Sequence, residues 1–217
     1  MKALDLTLYF VTDSTGKTLE EFLAVVNAAC KGGVTLVQLR EKDKSGAEYY
    51  DIAMKVKDIT DSYGIPLIID DRADIALAVN ASGVHVGGSD LPIYAARKLL
   101  GADKIVGATA KTVAAAKKAE AEGADYLGVG AIYPTTTKVV TVITEVSVLD
   151  DIKKSVAIPV AAIGGLNSSN MSVLYGSSAD GIAVVSAIMK SPDPEAAARS
   201  LKKQVLQNFA SKKIPRK

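Results

Sequence analysis

The sequence predicts an α/β protein folded as a single (β/α)8 TIM barrel. Two observations carry that prediction. Eight short apolar runs recur, at 6–11, 36–39, 66–69, 83–86, 104–108, 126–132, 158–163 and 181–185. Between and after them lie amphipathic stretches at 18–31, 45–63, 73–81, 92–100, 112–122, 144–155, 168–176 and 192–209. Most of the apolar runs lack polar alternation, as expected of strands buried on both faces in a parallel sheet. Eight strand–helix units in 217 residues average about 27 residues each, close to the compact limit of such barrels. An open doubly wound sheet is the alternative, but it usually has fewer strands and an early glycine-rich turn.

The helical stretches carry their own punctuation. The clearest is Thr112–Gly123, which starts on a capping threonine and ends on glycine. No proline-rich or low-complexity linker interrupts the series. Residues 1–210 therefore read as one domain, followed by a basic tail at 211–217.

Composition narrows the function classes. Lys and Arg number 26 and Asp and Glu 24, for a net charge of +2. Four of the cations, Lys212, Lys213, Arg216 and Lys217, stand in the tail; without them the balance is −2. Such a body gives no electrostatic footprint for nucleic acid, and the tail reads as a solvated end. No apolar run approaches the ~18 residues of a membrane span, and the N-terminal residues lack a signal-peptide pattern. The lone cysteine, Cys30, excludes an intrachain disulfide and reads as a buried helix residue. A cytoplasmic setting is expected, with small molecules as partners. A homo-oligomer is compatible with the sequence.

Three motifs mislead. Gly16-Lys17-Thr18 ends like a phosphate loop, but the first glycine of that pattern would stand at position 11, which is Val11. Gly128-Val129-Gly130 lies within a strand and lacks a third glycine, so close packing is the better reading. His85, the sole histidine, lies mid-strand and reads as structural. Neither a second histidine nor a poised serine is there to complete a nucleophilic triad.

A barrel places its chemistry where strands end. Asp71 ends the third run and Asp90 follows the fourth, so both fall on one rim. One or two carboxylates plus substrate phosphates and water are the usual surroundings of Mg²⁺. Asp71 as a helix cap or a partner of Arg72 is the alternative. Arg40 and Lys42 follow the second run. Alternation sends Gln38, Arg40 and Lys42 one way and Leu39 and Glu41 the other. If Gln38 faces the barrel mouth, both cations follow it and can neutralise a diphosphate; a surface salt bridge with Glu41 or Asp43 is equally open. Gly164-Gly165 and Val185-Ser186 follow the seventh and eighth runs, where such barrels commonly hold phosphate. Thr135-Thr136-Thr137-Lys138 adds hydroxyls and a cation on the sixth loop, although its composition also suits a flexible loop. Together these residues suggest two anionic substrates.

The segments Leu8-Tyr-Phe-Val-Thr-Asp13, Val37-Gln-Leu-Arg-Glu-Lys42, Pro66-Leu-Ile-Ile-Asp-Asp-Arg72 and Gly83-Val-His-Val-Gly87 resemble those of the thiamine phosphate synthase family. So do Leu127-Gly-Val-Gly130, Pro134-Thr-Thr-Thr-Lys138, Ala162-Ile-Gly-Gly165 and Val184-Val-Ser186, in family order and spacing. The resemblance implies a Mg²⁺-dependent transferase of thiamine biosynthesis. Such an enzyme joins hydroxymethylpyrimidine diphosphate to a thiazole phosphate, with pyrophosphate lost before the thiazole nitrogen attacks. By that resemblance Gln38, Arg40 and Lys42 would hold the pyrimidine diphosphate, Leu39, Glu41, Asp70 and Thr109 would be among the substrate-binding residues, and Asp71 and Asp90 would hold Mg²⁺. Thr135, Thr136, Thr137, Gly165, Val185 and Ser186 would serve the thiazole phosphate and the diphosphate. Lys138, Arg40 and Lys42 would meet the leaving group.

This chain departs from the family at Asp70, where asparagine is usual, and at Thr109, where serine is usual. Gly88 replaces a common glutamine, Lys111 a histidine-like position, and Val139-Val140 a Lys-Asp pair. Asp70 matters most, because like charges ~4 Å apart repel by ~4 kcal/mol at an effective dielectric of about 20. It must turn away, take up a proton or join the metal shell, and the last is expected here. Three other readings are a thiazole tautomerase-like paralogue, a non-catalytic phosphate-ligand-binding barrel and an unrelated phosphosugar isomerase barrel, against which the 38–42 and 135–138 segments argue. The first would want a histidine near the sixth strand; intact Asp71, Asp90 and Lys138 count against the second.

Overall fold

The computed structural model describes residues 4–135 and 142–209. Eight parallel strands close into a barrel in chain order: β1 (Leu8–Val11), β2 (Leu36–Leu39), β3 (Leu67–Asp70), β4 (Gly83–Val86), β5 (Ile105–Ala110), β6 (Tyr126–Val129), β7 (Val160–Ile163) and β8 (Gly181–Val184). The ring closes between β1 and β8, where Tyr9 sits opposite Ala183. Outside it lie α1 (Leu19–Gly32), α2 (Gly46–Ser62), α3 (Ala73–Ala78), α4 (Ile93–Leu100), α5 (Val113–Ala121), α6 (Val146–Ser155), α7 (Ser186–Met189) and α8 (Pro194–Phe209). No helix among the described residues is long and apolar enough to cross a membrane.

Strand alternation sorts the apolar side chains into two layers. Leu8, Phe10, Val37, Leu39, Leu67 and Ile69 point outward and pack under the helices, where Phe22, Val26, Ile52 and Val56 meet them. Tyr9, Val11, Leu36, Ile68, Tyr126, Ala161 and Ala183 fill the barrel. Gly107 shows how tightly that interior is filled. A Cβ there would lie 2.1 Å from the Tyr126 ring, so β5 gives up a side chain to seat the phenol on β6.

Several local signals act as their chemistry suggests. Thr112 accepts a hydrogen bond from the Ala115 N–H at 3.1 Å and starts α5. Thr18, the end of the false phosphate loop, is a helix cap instead. Its hydroxyl accepts from Glu21 N–H, and the Glu21 carboxylate accepts from Thr18 N–H, forming a capping box. Cys30 is buried in α1, and burial pushes its thiol up to about 12.

Two expectations differ from the structure. The stretch 168–176 forms only a short 3₁₀ turn, Met171–Leu174. The Asn167 side chain accepts from Ser169 N–H, and that of Asn170 accepts from Asn167 N–H and donates to Gly165 C=O. These bonds compete with a helical start. The sixth strand ends at Val129 rather than 132, yet the chain still tracks β7, because Ile132 N–H and Tyr133 N–H donate to Ile163 and Gly164 C=O. Thr136, Thr137, Lys138, Val139 and Val140 lie outside the described residues, as does the 211–217 tail.

Candidate active site

A cavity of about 320 Å³ opens at the C-terminal ends of the strands. Gln38, Arg40, Lys42, Asp70, Asp71, Asp90, Thr109, Thr135, Gly165, Val185 and Ser186 all line it. Strands β2 to β4 supply its charged wall. β7 and β8, across the mouth, supply glycine backbone and the serine.

Strand geometry sorts the 38–42 segment as alternation requires. Gln38, Arg40 and Lys42 face the mouth. Leu39 is buried in the outer layer. Glu41 is also buried and points away from this cavity, its Oε2 accepting from Ser14 Oγ at 2.6 Å. The structure thus brings neither the Leu39 nor the Glu41 side chain to the site.

Asp70 and Asp71 both reach the cavity although they are neighbours in sequence. β3 ends at Asp70, and Asp71 adopts a left-handed backbone with φ 60° that resets the alternation. Asp70, expected to join a metal shell, stands beside two cations of the chain itself. Its Oδ2 lies 3.0 Å from Lys42 Nζ and 3.7 Å from Arg40 Nε, so two cations already answer its charge. Lys42 also pairs with Asp71. Burial works against the Lys42 ammonium, but its bonds to Asp71 and Asp70 outweigh that and hold its proton more firmly than usual.

Burial pushes the Asp71 carboxyl up to about 6, with the Asp70 charge and the adjoining Asp90 carboxyl adding to the rise against Lys42. Two acids in contact need a proton or a cation between them. Asp90 is fixed from behind, its Oδ2 accepting from Gly87 N–H at 2.8 Å. Among the described residues no three His, Cys, Asp or Glu converge to hold a metal. The pair Asp71 and Asp90 nevertheless fits Mg²⁺, which completes its shell with phosphate oxygens and water.

The opposite wall is built on a glycine turn. Gly164 and Gly165 have φ 107° and 64°, which a side chain would strain. A Cβ on Gly165 would also come within 2.7 Å of Tyr133 Cβ. The turn therefore packs against Tyr133 and Pro134 while it lines the cavity.

Sequence reasoning gave four residues no role in the site. His85 and Lys111 line the cavity, and Tyr9 and Tyr126 lie buried beneath His85. Lys111 could have been found from spacing, since it stands two residues past Thr109 on the same face. The tyrosines gave no signal, because they read as barrel packing.

A family model described as "Thiamine monophosphate synthase" matches residues 8–188. The chain belongs to the thiamine monophosphate synthase family. "Thiamine-phosphate synthase 2" of Streptococcus pneumoniae is 52% identical over 206 residues, covering 95% of this chain and 98% of that one. "Thiamine-phosphate synthase" of Methanobrevibacter smithii is 49% identical over 204 residues, covering 94% and 97%. Among solved structures, thiamine phosphate pyrophosphorylase from Pyrococcus furiosus superposes with a TM-score of 0.87 at 37% identity, covering 95% of this chain and 98% of that one. The thiamine monophosphate synthase match begins at β1 and ends inside α7, so it spans every strand that feeds the cavity.

Proposed function

We propose that this chain is a Mg²⁺-dependent thiamine phosphate synthase of the cytoplasm. It joins hydroxymethylpyrimidine diphosphate to a thiazole phosphate and releases pyrophosphate. The observation that carries this reading is the meeting of Arg40, Lys42, Asp71 and Asp90 in one cavity, across from the Gly164–Gly165 turn, in a chain of this family. Mg²⁺ held by Asp71 and Asp90 would offset charge as it builds on the diphosphate.

The chain's own residues have a defined task. The C–O bond to the diphosphate breaks and its electron pair leaves with pyrophosphate. The lone pair of the thiazole nitrogen then forms the new C–N bond to the pyrimidine methylene. No side chain has to attack or to remove a proton. Arg40 and Lys42 hold the departing charge, and the glycine turn with Ser186 holds the thiazole phosphate at bonding distance. Positioning and fixed charge supply the catalysis. His85, hydrogen-bonded at both ring nitrogens, is not placed as the free acid or base that a tautomerase would want.

The test is to assay pyrophosphate release and thiamine phosphate formation with both substrates and with each alone. Equal yields of the two products, formed only when both substrates are present, support the reading. Pyrophosphate without thiamine phosphate, or neither product, overturns it.

Asp70→Asn should leave the Mg²⁺ concentration for half-maximal rate unchanged and lower KM for the diphosphate a few-fold. The substitution releases Arg40 and Lys42 and adds an amide donor. A raised Mg²⁺ requirement, read by titration, would return Asp70 to the metal shell. For Lys138, whose assignment rests on the family resemblance, Lys138→Ala should lower kcat more than it raises KM for the thiazole phosphate. The charge it meets grows in the transition state. An unchanged kcat with a raised KM would limit Lys138 to ground-state binding.

A further inference from the structure

Beneath the cavity floor runs a chain of hydrogen bonds, buried except where it surfaces at Thr109, that the proposed chemistry leaves unused. Gln38 Nε2 donates to Tyr9 Oη at 2.5 Å, and Tyr9 Oη lies 2.7 Å from Tyr126 Oη. Tyr126 Oη lies 3.1 Å from His85 Nδ1, and His85 Nε2 lies 3.0 Å from Thr109 Oγ1. Gln38 and Thr109, its two ends, line the cavity, while Tyr9 and Tyr126 are at most 1% exposed. The packing is built around this chain. The two phenol rings meet edge to face, with centroids 5.7 Å apart. Gly107 clears the space of the Tyr126 ring, and a Cβ on Gly128 would already touch His85 Cε1 at 3.5 Å.

Each phenol has one proton to give, so the direction of one bond fixes the direction of all. The Gln38 amide nitrogen only donates, so Tyr9 Oη accepts there and passes its own proton toward Tyr126. Tyr126 then donates to His85 Nδ1. Nδ1, accepting there, carries no proton, so the ring's single proton stands on Nε2 and goes to Thr109 Oγ1. Thr109, accepting from below, turns its own proton to the cavity. Gln38 Oε1, the half of the amide not held by Tyr9, is left as an acceptor.

We propose that Tyr9, Tyr126 and His85 are positioning residues. They form a buried one-way relay that sets the hydrogen-bond polarity of the floor, with an acceptor at Gln38 and a donor at Thr109. Such a floor suits a heteroaromatic amine, which brings N–H donors together with a ring-nitrogen acceptor. Identifying that amine with the pyrimidine substrate rests on the synthase reading; the relay's direction does not.

This chain carries one histidine, so nitrogen NMR of the imidazole in the ligand-free protein reports on His85 alone. The expected wild-type spectrum has the proton on Nε2 and a hydrogen-bonded, unprotonated Nδ1. Tyr126→Phe removes the donor to Nδ1 and should give a mixture of tautomers. A wild-type proton on Nδ1, or an unaltered tautomer in Tyr126→Phe, overturns the relay. Tyr9→Phe, which leaves the Tyr126–His85 bond in place, is the second variant should Tyr126→Phe fail to fold. It should still disturb the kinetics.

In the synthase assay, either variant should raise KM for the pyrimidine diphosphate about 10-fold, on the scale of one lost net hydrogen bond. KM for the thiazole phosphate should stay within about twofold. Equal losses on both substrates, or none, reduce the tyrosines to packing and overturn the proposal. The NMR measurement needs no substrate. A correct tautomer in a protein that makes no thiamine phosphate would therefore sink the synthase reading alone.

Discussion

Asp90→Ala should lower turnover about 10²-fold or more, the scale of losing one preorganised electrostatic group. The Asp90 carboxylate is already aimed before substrate arrives. It accepts from Gly87 N–H at 2.8 Å, and a Cβ on Gly87 would press against it at 2.9 Å, so the loop is folded around this oxygen. Asp71 also adjoins it, raised to about 6 chiefly by burial. Removing Asp90 should relieve Asp71 and leave the barrel folded, yet strip one of the two oxygen donors proposed for Mg²⁺. Rates measured across a Mg²⁺ titration, with circular dichroism as the fold control, check this. Full activity of the wild type in excess chelator, or near-normal turnover of Asp90→Ala, would refute the metal assignment.

Lys42→Ala should be comparably damaging, lowering kcat/KM for the diphosphate about 10²-fold or more. Its ammonium is the cation that touches both Asp70 and Asp71. Without it, Asp70 would face an incoming diphosphate with Arg40 as its remaining ion-pair partner among the described residues. Lys42→Arg should recover part of the loss, since it restores charge without reproducing the compact ammonium. Steady-state kinetics of the two variants decide the matter. A loss below about threefold in Lys42→Ala would make Lys42 a surface ion pair, whose worth is small.

The barrel was legible because each strand is an apolar run with few competing signals. Gln38, Arg40 and Lys42 could be grouped from period two alone. Other features depend on geometry that a string of residues does not carry. That Asp70 and Asp71 share the cavity follows from one backbone angle at Asp71. The pairing of Asp70 with Arg40 and Lys42 follows from the spacing of β2 against β3, where Leu39 is level with Ile69. Tyr9 and Tyr126 look like bulk, because the partners of their hydroxyls come from β2 and β4, far away in sequence. The 168–176 stretch misled for a local reason: apolar periodicity was visible there, but the side-chain bonds of Asn167 and Asn170 to nearby backbone were not.

The seam between β1 and β8 has a consequence of its own. The barrel is closed by pairing its first strand with its last, through Leu8 and Ile182, Tyr9 and Ala183, and Phe10 and Val184. The cation wall starts one strand to one side of that seam, at β2, and Val185 and Ser186 follow directly from β8 on the other. A transient parting of the seam would therefore pull the two substrate seats away from each other. A molecule bridging both seats would act as a clasp, drawing the chain's two ends together and slowing amide exchange in β1 and β8 more than in β4 and β5. Substrate affinity and barrel closure are in that sense one equilibrium, with ligand binding drawing on the same free energy that keeps the ring shut.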